Sequence, residues 1–147
     1  MKKLITLLAL LLFCVYSNAQ TAEQTIDWLN SKKTDIRPLR SVYHYDISHE
    51  LISINFSTEG ILFAYKYWFG DKYISIDDKI AWKNITEINI DQEFNDIIIK
   101  TGLTSKGKNR YLKLYIGGKK DLADRFSKAL THMATLKGAK LIDEDLF

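Results

Sequence analysis

Residues 51–77 read LISINFSTEGILFAYKYWFGDKYISID, and two breaks, Ser57 to Gly60 and Gly70-Asp71, divide them into three apolar-rich runs. In the first run Ile52, Ile54 and Phe56 fall on one side of a period-two pattern, with Ser53 and Asn55 on the other. In the second, Ile61, Phe63, Tyr65, Tyr67 and Phe69 share a face. Alternation of this kind among β-branched and aromatic residues marks half-buried strands. Turns this short leave no room for intervening helices, so consecutive runs become antiparallel neighbours.

The same reading extends outward. Val42 to Ile47 predicts a strand upstream, and IAW (80–82), ITEINID (85–91), NDIIIKT (95–101) and RYLKLYIG (110–117) predict a continuing meander downstream. Helices flank the strands. In TAEQTIDWLNSKK, residues 21–33, the Thr21 hydroxyl can cap the third backbone N–H while Gln24 reaches back, a capping box. Ala22, Ile26 and Leu29 then share a face that Trp28 widens, and Pro38 prevents the helix from continuing. In DLADRFSKALTHMATLKG, Asp121 is the expected cap of a helix over about 121–137. Leu122, Phe126, Ala129, Leu130, Met133 and Leu136 make its apolar stripe, and Lys137 and Gly138 end it. The expectation is a mainly β, α+β domain over residues 20–147. It is an antiparallel barrel or strongly bent sheet with a short N-terminal helix and a capping C-terminal helix.

The pattern ISIDDKIAWKNITEINI, with Trp82, Ile85 and Ile88 evenly spaced, then two further strands and DLADRFSKALTHMATLKGAK, resembles small exported bacterial proteins with a pleckstrin-homology-like (PH-like) barrel. The leading TIDWLNSKK helix resembles theirs too, so the likeness spans nearly the whole of residues 20–147. It implies a fold, and no activity, cofactor or catalytic residue.

The N-terminus supplies an address. Lys2 and Lys3 precede an apolar run from Leu4 to Tyr16, and small residues at Ser17 and Ala19 suit a peptidase, so residues 1–19 read as a secretory signal. A lipoprotein anchored at Cys14 is disfavoured because Phe13 stands where a small residue is required. Nothing later is long and apolar enough to predict a membrane span. Removing Lys2 and Lys3 leaves 19 cations against 18 acids, a formal charge of +1, which gives no support to nucleic-acid binding. The expected location is periplasmic or secreted. Loss of Cys14 with the signal excludes cysteine chemistry from the mature chain.

Three stretches invite a functional reading. HYDISHE, residues 44–50, gathers His44, Asp46, His49 and Glu50. His44 and Asp46 sit two apart on one strand face, a spacing zinc sites use, but zinc requires three or four convergent ligands, and these residue types equally suit a solvated hairpin turn. The turn is the preferred reading, so no metal or other cofactor is expected. From Lys100 to Lys120 seven cations and no acid occur, with Lys106, Lys108 and Arg110 at a glycine-containing hairpin tip that could touch anionic head groups or an acidic partner, weighed against the preferred reading of a solvated turn that discourages edge pairing. YKYWFGDKY, residues 65–73, carries the densest aromatic cluster; Tyr67, Trp68 and Tyr73 are its contact candidates, weighed against burial beneath the N-terminal helix. The carboxylates Asp77 with Asp78, Asp91 with Glu93, and Asp143 to Asp145 read as turn or terminal surface.

No nucleophile or phosphate-cradling motif is present. The expected function is a non-catalytic binding or interaction module for a protein or another envelope component. A carrier of a small apolar or lipid ligand is the alternative, and a metal-dependent hydrolase the third reading.

Overall fold

A computed structural model describes residues 21–37, 42–43, 49–103 and 109–142. The expected signal with Cys14, most of HYDISHE and the tip at Lys106 and Lys108 lie outside the described residues. Among the described residues two α-helices, α1 (Ala22–Lys32) and α2 (Lys120–Leu136), flank seven strands: β1 (Val42–Tyr43), β2 (His49–Phe56), β3 (Gly60–Phe69), β4 (Lys72–Ala81), β5 (Ile85–Asp91), β6 (Asp96–Leu103) and β7 (Asn109–Leu114). Every pairing is antiparallel. One sheet has the order β2-β3-β4 and the other β1-β7-β6-β5, so the architecture is α+β. Among the described residues no ladder joins β4 to β5, and the two sheets do not close into a barrel. None of the described helices is long and apolar enough to cross a membrane.

Local chemistry accounts for the elements. Thr21 and Gln24 form the expected capping box. At the far end of α2, Ala139 N–H donates to the Ala134 carbonyl and Gly138 N–H to that of Thr135, which satisfies the last carbonyls. Asp121, expected as the cap of α2, instead lies in its first turn, where its charge still complements the helix dipole. The buried stripe of α2 centres on Ala123, Phe126, Leu130, Met133 and Ala134, while Leu136 is exposed.

Two strand readings are corrected. KYISID and IAW are not separate runs: β4 continues through Asp77 and Asp78. Ile74, Ile76, Asp78 and Ile80 keep one phase along it, so Asp78 occupies an inward position rather than a turn. In β2 the ladder slips between Leu51 and Ser53, and Ile52 is the extra residue. The bulge lets Leu51, Ile54 and Phe56 all point inward, while Ile52, expected on the same side as Ile54, is exposed. Gly60 has its own reason to be glycine: a Cβ there would lie 2.2 Å from the Ile80 carbonyl oxygen, so the backbone of β4 leaves no room for a side chain.

The helices seal one end of the space between the sheets. Trp82, Phe56 and Phe126 are fully buried there, and the Phe126 ring lies 5.2 Å from Trp28 of α1 and 6.4 Å from Phe56 of β2. Burial of each such side chain is worth about 1.5–3 kcal/mol. Direction comes from polar groups. Trp82 Nε1 donates to the Ser57 carbonyl at 2.8 Å, and the Asn30 amide both donates to the Phe56 carbonyl (2.8 Å) and accepts from its N–H (3.0 Å).

On the outer face of the second sheet, the Lys113 ammonium lies 3.1 Å from Asp91 and 2.9 Å from Asp96, with the Phe94 ring 5.7 Å away. The hydrogen bond from Lys113, helped by the Glu93 N–H, holds the Asp91 carboxyl below its ordinary value. Burial pulls the Lys113 ammonium down, but its bonds to Asp96 and Asp91 outweigh this and leave it raised.

Phe126→Ala is expected to lower the unfolding free energy by about 3–5 kcal/mol in urea titrations, because a cavity opens where both helices and the first sheet meet. The Lys113 cluster sets an acid dependence. A depressed carboxyl stabilises the fold above its ordinary value of 3.8, and that contribution is lost as pH falls through its lower folded value. The raised Lys113 contributes its share until pH climbs past the ordinary lysine range. Lys113→Met therefore destabilises the protein at neutral pH, and its deficit against wild type shrinks as pH is lowered through 3.8 and below.

Candidate functional site

The end of the sheets opposite the helices is built differently. β3 and β4 are joined there by the two-residue loop Gly70-Asp71, with Gly70 at φ 66° as a tight hairpin needs. Trp68 and Tyr73 face each other across this hairpin, with ring centroids 4.7 Å apart and planes at 74°. Trp68, Phe69 and Tyr73 are 54%, 64% and 62% exposed, so an aromatic end stands in solvent while most other large apolar side chains are buried. On the outer face the Lys66 ammonium lies 3.1 Å from Glu50 and 5.3 Å from the centre of the Tyr73 ring.

The inner face at the same end is polar and aromatic. His49 opens β2 opposite Tyr67, and its buried ring lies 5.0 Å from that of Tyr65 and 5.3 Å from that of Tyr67. The Arg110 guanidinium, from β7, donates to Asp78 of β4 at 2.8 Å and ties the two sheets together where no ladder does. Burial chiefly, then the Asp78 charge and Tyr67, pushes the Tyr65 phenol above its ordinary 10.0.

The structure gathers at one end parts of three stretches that are separate in sequence. Of HYDISHE, His49 and Glu50 are described, and they are strand residues rather than turn residues. As consecutive residues of β2 they point to opposite faces: His49 packs on tyrosines, and Glu50 pairs with Lys66. His44 and Asp46 lie outside the described residues. No group of three or more His, Cys, Asp or Glu side chains comes together among the described residues.

Tyr67 is half-buried on the inner face, while Trp68 turns outward to solvent rather than beneath α1, which packs on α2 and β2. Arg110 belongs to β7 and is engaged by Asp78, whereas Lys106 and Lys108 lie outside the described residues. Sequence reasoning missed the Asp78–Arg110 pair, whose members stand 32 positions apart. The available signal was the inward phase of Asp78 among Ile74, Ile76 and Ile80.

Asp78→Asn is expected to lower the Tyr65 phenol toward the ordinary value in ultraviolet difference titration, with Tyr65→Phe identifying the band. Because burial is the larger cause, the phenol stays above 10.0. Compared with protein-family models, curated proteins and solved structures, the chain finds no match.

Proposed function

We propose that this chain is an exported, PH-like, non-catalytic binding module whose contact surface is the β3–β4 hairpin end. The observation that carries the reading is the exposure of Trp68, Phe69 and Tyr73 together at one end of the sheets. Large flat side chains left in water are unfavourable for the isolated chain, and their gathering marks a surface that gains when a partner covers it. Lys66, Glu50 and Asp71 around the rings add hydrogen-bonding groups of both signs. A surface of this composition suits an envelope component that offers both an apolar face and polar groups, such as a glycan or a lipid head-group region. Export is supported by Lys2, Lys3, the apolar run and Ala19.

The module reading is favoured over an enclosed carrier because the space beneath the helices is occupied by Trp82, Phe56 and Phe126. It is favoured over a metal-dependent hydrolase because His49 and Glu50 diverge to opposite faces. Contact through the basic tip is narrower than the sequence implied, since Arg110 is committed to Asp78.

Glycan and lipid arrays probed with the exported form test the proposal. Wild type is expected to bind at least one class of envelope component. The double substitution Trp68→Ala with Tyr73→Ala is expected to weaken that binding by at least ten-fold while leaving the circular dichroism spectrum unchanged. Equal binding by both proteins would remove the hairpin end from the function.

A further inference from the structure

We infer that β4 pairs with β4 of a second copy, antiparallel and centred on Ser75, so that the β2-β3-β4 sheet runs on into its partner. This goes beyond the binding surface proposed above and does not depend on it.

β4 is ten residues long and forms the edge of its sheet. Among the described residues nothing pairs with its free side, whereas the β5 edge accepts a hydrogen bond from Ile142 N–H at the Thr86 carbonyl. The hairpin fixes which backbone groups β4 presents. In a two-residue hairpin the pair flanking the turn, Phe69 and Lys72, is hydrogen-bonded, and bonding then alternates along the ladder. Lys72, Ile74, Ile76 and Asp78 thus direct their N–H and C=O toward β3. Tyr73, Ser75 and Asp77 direct theirs outward, unpaired among the described residues, and an exposed edge of this length is a template for another strand.

The side chains choose the partner and the register. With Ser75 opposite its own copy, Lys72 falls opposite Asp78, Asp71 opposite Lys79, Tyr73 opposite Asp77 and Ile74 opposite Ile76. Each pair lies on one face, and both charged pairs are of opposite sign, which stabilises cross-strand neighbours. Within the chain Asp78 already accepts from Arg110 and Lys79 already pairs with Glu59, so Lys72 and Asp71 of the second copy extend these two ion pairs into networks. Ile74 and Ile76, half-buried at the open edge, gain cover from each other's copies. A slip by one residue sets Lys72 opposite Lys79 and Ile74 opposite Asp77, or Asp71 opposite Asp78. Self-complementarity about one residue is what a two-fold interface requires.

Thiol trapping tests the register. Cys14 is the chain's only cysteine, so Cys14→Ser leaves an introduced thiol alone. A hydrogen-bonded antiparallel pair places Cα atoms about 5.5 Å apart, within disulfide range. Ser75→Cys is expected to form a covalent dimer under mild oxidation. Asp77→Cys, on the same strand and also exposed, forms no covalent dimer because its copy lies four residues away along the partner. Tyr73→Cys mixed with Asp77→Cys gives the heterodimer.

Lys72→Glu is expected to raise the dimer dissociation constant in sedimentation equilibrium about ten-fold by placing like charges opposite each other. Thermal melting of each variant confirms that the fold persists. Cross-linking of Asp77→Cys as fast as Ser75→Cys, or a wild-type chain that sediments as a monomer at all concentrations, overturns the inference.

Discussion

Phe126 is the point at which the layers of this protein meet. Its ring is fully buried, near Trp28 from the first helix and Phe56 from the first sheet, while the helix that carries it lies along the second sheet and the turn that holds Trp82. The two sheets share no ladder between β4 and β5, so they cannot hold their mutual angle by backbone hydrogen bonds there. Apolar burial beneath α2 supplies the restraint instead. The polar bonds around it, Trp82 to the Ser57 carbonyl and Asn30 to the Phe56 backbone, contribute direction more than energy, since each replaces bonds that water would otherwise make.

At the other end the restraint is electrostatic. Arg110 and Asp78 reach across from different sheets, each partly shielded from solvent, and surround the aromatic interior of His49, Tyr65 and Tyr67 with fixed charge. A half-buried guanidinium–carboxylate contact is worth more than a surface pair and less than its Coulomb energy, because both groups lose water on meeting. The two ends therefore differ in kind. One is closed by apolar packing against helices, and the other is tied across by a charged pair and ends in rings exposed to water. That asymmetry gives the molecule a direction, with a packed end under the helices and an exposed aromatic end.

The edge of β4, unpaired among the described residues, follows from the same geometry. Sheets that stop short of closure leave free strand edges, and such edges are either blunted or used. The β5 edge is partly covered by the segment after α2. Among the registers near Ser75, only the one centred on it sets two pairs of opposite charge face to face, Lys72 with Asp78 and Asp71 with Lys79; a shift by one residue brings like charges together. A dimer formed there leaves the two aromatic hairpin ends pointing in opposite directions along the paired strands, available for two separate contacts.

Local signals were legible in the residues alone. The capping box of Thr21 and Gln24, the strand alternation through residues 60–69, the Gly70-Asp71 turn and the amphipathic spacing around Phe126 all depend on neighbours within a few positions, where pattern and propensity act directly. What spans many positions was not legible. The bulge at Ile52 breaks the alternation that would have announced it, because it exists to keep both Leu51 and Ile54 in the core. The inward placing of Asp78 and the commitment of Arg110 arise only when two sheets converge. The separation of His49 from Glu50, and the exposure of Trp68 rather than its burial under a helix, were likewise decided by packing between distant elements. Sequence period fixes which side of a strand a residue takes; only the assembled layers determine whether that side meets core, solvent or another charge.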